Sequence, residues 1–240
     1  FEGDIEFKNV WFAYKEGEWI LKDVSFHIKP KQVVAFVGAT GAGKTTILQL
    51  IVRNYDIQKG QILIDGKDIR DIKIKSLRKG IGQMLQDVFL FSGSIRSNIN
   101  LRDDTISDEE VIEACKYVNA DQFINKLPKG LEEQVLEGGN NFSSGQRQLL
   151  SFARTVVHKP QILILDEATA NIDTETEQLI QQSLLKMMNI GTMLIVAHRL
   201  STIQHADNII CLQKGQIVEQ GNHQDLLKNR GYYYNLYRLQ

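Results

Sequence analysis

A glycine-rich stretch, GATGAGKTT, matches the pattern GxxxxGK[ST]. Glycines let the backbone curl so that successive N–H groups point inward at phosphate oxygens. The N-terminus of the helix that follows adds unpaired donors and a favourable dipole. Lys44 supplies a positive charge to the β- and γ-phosphates, and Thr45 a hydroxyl ligand for Mg²⁺. The stretch predicts a nucleoside triphosphate site formed by Gly38, Ala39, Thr40, Gly41, Ala42, Gly43, Lys44, Thr45 and Thr46.

Two carboxylates follow a second apolar run. Asp166 and Glu167 come directly after QILIL, and open α/β sheets bind their ligands at the carboxyl ends of strands. Asp166 is the expected Mg²⁺ partner, through water, because Mg²⁺ keeps several waters and takes few carboxylates. Glu167 is placed one residue further on, where a carboxylate can orient and deprotonate an attacking water. A solvated acidic turn is the structural alternative.

Two further features point to phosphate. His198 ends the apolar run GTMLIVAH, and a histidine at the polar end of such a strand can donate a hydrogen bond to a γ-phosphate; a purely structural histidine is the alternative. Far along the chain from the glycine-rich loop, FSSGQRQLL begins with small polar residues at Ser143 and continues with a helical pattern. A helix N-terminus of this kind attracts anions.

The composition limits the class of protein. The 240 residues are 42% hydrophobic, enough for a substantial core, and the net charge of −1 comes without a basic stripe, which argues against nucleic-acid binding. No apolar run reaches the ~18 residues of a membrane span, and no signal peptide opens the sequence. Cys115 and Cys211 form no CxxC pair, so we expect buried thiols in a reducing compartment.

The elements that must position these residues form an α/β pattern. Alternation over residues 4–36 predicts β-structure at the start of the chain. Short apolar runs with helical stretches between them predict a parallel sheet buried on both faces, with strands at 33–38, 161–166 and 191–198 and helices at 44–54 and 174–188. A helical segment follows at about 95–158, with a helix start at Ser107, and the tail predicts amphipathic helix broken at Gly231.

Taken in order, these motifs resemble the nucleotide-binding domain of an ATP-binding-cassette (ABC) transporter of the exporter type. FSSGQ resembles the LSGGQ signature, QMLQD the Q-loop, and AHRLSTI the switch-histidine segment. ANID, residues 170–173, fits the D-loop. VLEGGNNF, with Glu137, resembles the X-loop of exporters, and VEQGNHQDLLKNRGYYYNLYRLQ resembles their C-terminal segment. The resemblance covers essentially the whole chain.

The resemblance implies a role for each matching residue. Tyr14 would stack on adenine, a contact that tolerates other bases such as guanine; a core aromatic is the alternative. Catalysis would use Glu167, His198 and Lys44, and Mg²⁺ would be held by Thr45, Gln86 and Asp166. Gln86 would also contact ATP, and Asp173 would serve in the D-loop. The signature residues Ser143, Ser144, Gly145 and Gln146 would bind a triphosphate held by a second domain, which explains two phosphate-type helix starts in one chain.

The resemblance also implies the fold and its parts. The expected fold class is α/β: a P-loop NTPase (RecA-like) core with a parallel sheet, an N-terminal antiparallel β subdomain and an inserted α-helical subdomain. Residues 1–240 would be one nucleotide-binding domain. Its expected parts are an antiparallel β subdomain at about 1–32 and 60–75, an ATPase core at about 33–58, 76–94 and 159–240, and a helical subdomain at about 95–158.

The function implied is ATP hydrolysis coupled to export. ATP and Mg²⁺ would be the cofactors, and the partners a second nucleotide-binding domain, in a homo- or heterodimer, and a transmembrane domain, with no nucleic acid. We expect the domain at the cytoplasmic side of the cell membrane, either cut from a polypeptide with membrane helices before Phe1 or as a separate subunit. Alternatives are a soluble ABC-type ATPase acting on nucleic acid or in translation, and a regulatory module that binds ATP but barely hydrolyses it.

The sequence departs from the ABC pattern at the signature. Ser144 stands where glycine is usual, which removes backbone freedom and adds a side chain close to the expected phosphate. The D-loop has Ala-Asn-Ile-Asp instead of the more common Ser-Ala-Leu-Asp. One hypothesis is an asymmetric pair, in which this chain holds the competent nucleotide and caps a weak site. Neutral drift, because serine is small, is the other.

Overall fold

The computed structural model describes residues 1–167 and 171–240. The chain divides into two compact units. The first unit comprises Phe1–Ile81, Gln161–Glu167 and Gly191–Gln240, and the second comprises Gly82–Pro160 and Ala168–Ile190. The first unit therefore contains the glycine-rich loop, and the second contains the signature.

The elements follow in chain order. The strands are β1 (Ile5–Ala13), β2 (Trp19–Ile28), β3 (Val33–Val37), β4 (Lys59–Ile64), β5 (Lys67–Asp68), β6 (Ile81–Met84), β7 (Gly93–Ser94), β8 (Gln134–Val135), β9 (Ile162–Asp166), β10 (Thr192–Val196), β11 (Asn208–Gln213) and β12 (Gln216–Gly221). The α-helices are α1 (Lys44–Ile51), α2 (Ile74–Lys79), α3 (Ile95–Asn100), α4 (Asp108–Tyr117), α5 (Asp121–Ile124), α6 (Ser144–Val157), α7 (Thr174–Met187), α8 (Leu200–Ile203), α9 (His223–Asn229) and α10 (Tyr232–Arg238). Short 3₁₀ turns lie at Ile69–Asp71, Gly130–Glu132 and Glu137–Gly139.

A largely parallel sheet forms the centre of the first unit, with the strand order β12–β11–β3–β10–β9. Strand β3 pairs in parallel with β10 and β11, and β10 pairs in parallel with β9; β12 is antiparallel. Every residue of β3 and β10 is buried, as expected for apolar strands covered on both faces. In register, Val196 faces Asp166 on one side and Phe36 on the other. The chain segments that follow β3, β9 and β10 therefore begin at the same edge of the sheet.

An antiparallel sheet of the first unit has the order β2–β1–β4–β5. Its inner face joins the hydrophobic core, where Phe7 stacks on Phe26 with ring centroids 4.4 Å apart, and Phe26 contacts Phe36 of β3 at 5.4 Å. Trp11 and Trp19, the two tryptophans of the chain, pack edge to face at 5.2 Å. The predicted N-terminal antiparallel sheet and parallel core are both present.

The second unit is mostly helical. It contains α3 to α7, and α4 begins with a capping box in which Ser107 and Glu110 bond each other's backbone N–H groups, a strong helix start. The helical segment predicted at about 95–158 belongs to this unit, which also takes residues 82–94 and α7. The finer division of the chain into core, β and helical subdomains stays a prediction.

The predicted helices of the first unit and of the tail are present. Helix α1 follows the glycine-rich loop, and Gly231 separates α9 from α10 at the end of the chain. In the second unit, α7 spans most of the helix predicted at 174–188. Within the described ranges, no helix is both long enough and apolar enough to cross a membrane.

Candidate nucleotide site

The glycine-rich loop runs from the end of β3 to the start of α1. Gly41 and Gly43 have φ angles of +83° and +106°, a region that residues with side chains rarely adopt. Gly38 is needed for a second reason, since a Cβ atom there would lie 2.3 Å from the carbonyl oxygen of Leu212 in β11. The glycines therefore allow two features of the loop: the positive φ angles at Gly41 and Gly43, and the close packing of Gly38 against β11.

Lys44, the first residue of α1, folds back over this loop. Its Nζ donates a hydrogen bond of 2.6 Å to the carbonyl oxygen of Gly38. Burial lowers the pKa of Lys44, and the carboxylate of Asp166 partly opposes this effect. The next residue, Thr45, is exposed, whereas Thr46 is buried. The loop thus carries one positive charge and one exposed hydroxyl at the start of a helix.

Asp166 is the last residue of β9, and its Oδ1 atom is buried without a hydrogen-bond partner. Burial raises the pKa of Asp166, while the neighbouring His198 and Lys44 lower it. An unsatisfied buried carboxylate oxygen is costly, and a hydrated cation beside it would supply the missing donors or ligand. Among the described residues, no cluster of three or more His, Cys, Asp or Glu side chains could hold a metal ion. The chemistry here fits Mg²⁺, which takes few carboxylates and several waters.

Glu167, one residue later, is only 1% exposed. Its Oε1 atom accepts hydrogen bonds from the backbone N–H groups of His198, at 2.9 Å, and Arg199, at 2.7 Å. Its Oε2 atom accepts a short hydrogen bond from the hydroxyl of Thr202. The carboxylate is therefore bound to the segment that links β10 to α8.

His198 follows the end of β10 and is half-buried. Burial lowers its pKa, and the positive charge of Lys44 lowers it further, so the neutral ring, with one N–H donor, is favoured. The residue also lines a cavity of about 220 Å³ between the start of the glycine-rich loop and α10. Gln240 at the chain end donates a hydrogen bond of 3.4 Å to the His198 carbonyl oxygen.

Tyr14 lies just after β1, and its side chain is 49% exposed. Its hydroxyl and that of Thr46, in α1, form a hydrogen bond of 3.0 Å. The ring packs edge to face against Tyr55 at 4.9 Å and against Phe12 at 4.8 Å. An exposed aromatic ring is therefore tied directly to the phosphate-loop helix.

In the second unit, the signature helix α6 begins with a capping box. The Oγ atom of Ser143 accepts from the N–H of Gln146 at 3.1 Å, and Gln146 Oε1 accepts from the N–H of Ser143 at 3.0 Å. This bond uses an acceptor site of the Ser143 hydroxyl and leaves its hydrogen for another acceptor. The Gln146 side chain serves the helix start itself, a role that the spacing S-x-x-Q could have indicated.

The two residues between them differ in environment. Gly145 is buried, and a Cβ atom there would lie 2.4 Å from Thr176 Cγ2 in α7, so this glycine is required for packing. Ser144 is half-buried and lines a polar cavity of about 240 Å³ together with Gln86 and Gln148. The structure therefore brings Gln86 close to one predicted signature residue of the same unit, Ser144.

The D-loop prediction falls partly outside the described residues, since Ala170 lies there. Asp173 is described and is the N-cap of α7: its Oδ2 atom accepts from the N–H and the hydroxyl of Thr176, at 3.0 Å and 2.9 Å. These bonds, the backbone one foremost, lower the pKa of Asp173. The sequence D-T-E-T contains this cap signal, which the D-loop resemblance by itself does not indicate.

Two further residues were not anticipated from the sequence. Thr202 donates to Glu167, and nothing in AHRLSTI marks this threonine over its neighbour Ser201. Tyr55, 48% exposed, lies beside Tyr14 because the chain returns past β1 after α1, which only the tertiary fold reveals.

A parallel sheet with a glycine-rich loop after one strand, a lysine at the start of the next helix and a carboxylate at the end of another strand of the same sheet is the arrangement of P-loop NTPases. Comparison with known proteins places the chain within this class. The family model for ABC transporters matches residues 21–170. The chain belongs to the ABC transporter family. The predicted family, the fold class and the assignment to a class of ATPases are confirmed.

The curated relatives are longer than this chain. The chain is 51% identical over 238 residues to a probable multidrug resistance ABC transporter ATP-binding/permease protein of Bacillus subtilis, covering 99% of this chain and 35% of that protein. It is 47% identical over 236 residues to an ATP-dependent lipid A-core flippase of Syntrophus aciditrophicus, covering 98% of this chain and 39% of that protein. The chain thus spans well under half of the length of these relatives.

A solved structure agrees in fold. A bacterial Atm1-family ABC exporter with ATP bound matches with a TM-score of 0.92 and 41% identity, over 99% of this chain and 41% of that chain. This similarity supports the same α/β fold for the two proteins.

Proposed function

We propose that this chain is the ATP-binding and ATP-hydrolysing domain of a membrane exporter. The observation that carries the proposal is the position of Lys44, which donates to the Gly38 carbonyl oxygen and interacts electrostatically with Asp166 at the end of β9 in the same sheet. The triphosphate is bound by the loop Gly38–Thr46, whose N–H groups and helix start favour an anion. The exposed ring of Tyr14 stacks on the base.

The residues at the strand ends carry the chemistry. Glu167 acts as the general base that orients and deprotonates water for attack on the γ-phosphorus. His198, as a neutral imidazole, donates to the γ-phosphate, and Lys44 stabilises the charge that spreads over its oxygens. Because Glu167 Oε1 accepts a hydrogen bond from the backbone N–H of His198, the same backbone segment holds the proposed base and the proposed phosphate donor in place.

Mg²⁺ is the second cofactor that we propose. Thr45 offers an exposed hydroxyl and Asp166 a buried oxygen without a partner, and these residues would hold the ion, directly or through water. Held by these residues, Mg²⁺ would supply positive charge that offsets the negative charge of the triphosphate. Gln86, which belongs to the second unit, is proposed as a further ligand from the family resemblance.

A second domain completes the site. We propose that two such domains pair head to tail and that the helix start at Ser143 meets the triphosphate of the partner. The support is local: the capping box uses Ser143 Oγ as an acceptor, so the hydroxyl can still donate its hydrogen to a phosphate oxygen of the partner's nucleotide. Ser144, Gly145, Gln146 and the D-loop residue Asp173 would frame this contact. The partner would be either a second copy of this chain, in a homodimer, or a different nucleotide-binding domain, in a heterodimer.

The whole protein would be a transporter. Relatives carry ATP-binding and permease parts in one polypeptide, and we propose that this chain likewise works with a transmembrane domain, at the cytoplasmic side of the cell membrane. Gln86 and the segment that follows it would contact that domain, because Phe89 is 71% exposed and Leu85, directly before Gln86, is 48% exposed, a large apolar exposure to water. Residues 1–240 would act as one nucleotide-binding domain.

The alternatives receive less support. A cassette ATPase acting on nucleic acid or in translation would be expected to show a basic face, and the net charge is −1. A regulatory module that binds ATP without hydrolysing it would not need Glu167 bonded into the segment that carries His198.

Phosphate release from ATP, with and without Mg²⁺, tests the proposal. The wild-type chain should hydrolyse ATP only with Mg²⁺. Glu167→Gln should retain ATP binding and lower kcat by roughly 10²–10⁴-fold, the usual contribution of a general base. Unchanged turnover in this variant removes Glu167 from the role, and Mg²⁺-independent turnover contradicts the metal proposal.

A further inference from the structure

The Glu167 carboxylate is held by one short stretch of chain. The backbone N–H groups of His198 and Arg199 donate to Oε1, and the Thr202 hydroxyl donates to Oε2. The backbone donors occupy the turn from β10 into α8, and Thr202 lies in the only turn of that helix. Both carboxylate oxygens are therefore bonded to the segment that presents His198.

The surroundings make the Thr202 bond consequential. Thr202 and Glu167 are each 1% exposed, so water cannot easily replace the hydroxyl as a donor. A bond to a buried charged group is stronger than a neutral one, and its loss removes a donor from a buried acceptor. The two backbone donors bind Oε1, whereas Oε2 accepts from the Thr202 side chain, which mutation can remove.

We propose that Thr202 is a positioning residue for ATP hydrolysis: its hydroxyl fixes the rotation of the Glu167 carboxylate and so aligns the general base with His198. The inference rests on the proposed role of Glu167 as general base. Thr202 itself contacts no reacting atom. A carboxylate that rotates away from its productive direction loses rate while substrate binding is unaffected, because misplacement by about 1 Å costs up to ~10²-fold.

The test compares Thr202→Val with Thr202→Ser. Valine keeps the shape and removes the donor, so kcat should fall about 10- to 10²-fold while KM stays within about twofold, as for an interaction made in the transition state. Serine keeps the hydroxyl and should restore kcat to within about threefold. Thr155→Val is the matched control, because Thr155 is also buried and its hydroxyl donates to the Ser151 carbonyl oxygen at 3.0 Å.

A double mutant separates this inference from the proposed function. In the Glu167→Gln background, Thr202→Val should cause no further loss, because both residues act through one group. A wild-type kcat in Thr202→Val, no rescue by serine, or a fully additive double mutant overturns the positioning role and leaves Glu167 in place. Full turnover in Glu167→Gln alone overturns the role of the base instead. Folding is checked by tryptophan fluorescence, and Thr202→Ala replaces the valine variant should the latter not fold.

Discussion

The Lys44 ammonium donates a hydrogen bond of 2.6 Å to the carbonyl oxygen of Gly38, six residues back along the chain. The side chain of Lys44, at the start of α1, thus contacts the first residue of the glycine-rich loop. Its charge is held at the loop by this bond and by the attraction of Asp166, so that side-chain freedom is largely lost before any anion binds.

Replacing Lys44 by alanine should weaken ATP binding. The variant removes a charged donor, a contribution of about 1.5–3 kcal/mol, which corresponds to roughly 10- to 10²-fold in Kd. Isothermal titration calorimetry with ATP measures the Kd of each variant. Lys75→Ala, an exposed lysine of α2, should leave Kd unaltered. Equal Kd values for the two variants would contradict the loop assignment.

Gly145→Ala should destabilise the second unit. The added methyl group would lie 2.4 Å from Thr176 Cγ2 and 3.0 Å from Ile172 Cγ2, and overpacking costs about 1–3 kcal/mol. Chemical unfolding followed by circular dichroism measures the free energy. Ser144→Ala, at the neighbouring position, serves as the control. A loss below about 0.5 kcal/mol, the level of an ordinary surface change, would show that α7 moves aside without cost.

Arg154→Lys should also lower stability although it preserves the charge. The guanidinium donates to the carbonyl oxygens of Phe89 and Asn98, at 2.9 Å and 2.8 Å, and lysine cannot reproduce this fork. We expect about 1–3 kcal/mol from the unsatisfied carbonyl groups. Thermal unfolding, with the exposed Arg238→Lys as reference, provides the measurement. A melting temperature equal to that of the reference would mean that the two carbonyl groups find other donors.

Ser144→Gly tests the asymmetric-pair hypothesis. On that hypothesis, Ser144 weakens the contact between the signature helix and the partner's nucleotide. Glycine should therefore raise the ATPase activity of the dimer several-fold. The affinity of the monomer for ATP should not change. Dimer formation is measured by sedimentation in the presence of ATP, in the Glu167→Gln background, which should bind ATP without hydrolysing it. Brisk, positively cooperative hydrolysis by symmetric wild-type dimers would instead favour neutral drift at this position.

The two thiols should resist modification in the native chain. Burial raises the pKa of Cys115 and of Cys211 to about 12, and the thiolate is the reactive form. At pH 8 a disulfide reagent should react with them only as fast as the chain opens, and rapidly in denaturant. Because unfolded thiols ionise near ~8.5, their contribution to stability is complete below that pH and is lost as pH rises toward 12. Rapid labelling of the native chain would contradict their burial.

Much of the architecture follows from patterns that act locally. The uniformly apolar runs at β3, β9 and β10 predict buried parallel strands, and the glycines with Lys44 predict the loop and helix that follow β3. Ser143 also predicts a helix start. These features depend on residues adjacent in sequence, so periodicity and spacing are sufficient to find them.

The rest of the site depends on long-range contacts. Thr202 reaches Glu167 because β9 and β10 are neighbours in the sheet, an order that the sequence does not state. Tyr55 meets Tyr14 for the same kind of reason. The resemblance implies that Gln146 meets a partner's triphosphate and that Asp173 serves in the D-loop. In the structure both residues also cap their own helices, because the first N–H groups of a helix need acceptors from outside the helix.

The hydrogen bond between Tyr14 and Thr46 fixes the distance between the proposed base contact and the glycine-rich loop. The ring proposed to stack on the base is hydrogen-bonded to the same helix that begins with Lys44, the lysine proposed to bind phosphate, so the helix sets the distance between the two proposed contacts. Such a site selects a ligand by its length, from base to terminal phosphate, more than by the identity of the base. Purine triphosphates of equal reach would be interchangeable there, whereas a shortened nucleotide would leave one anchor unused.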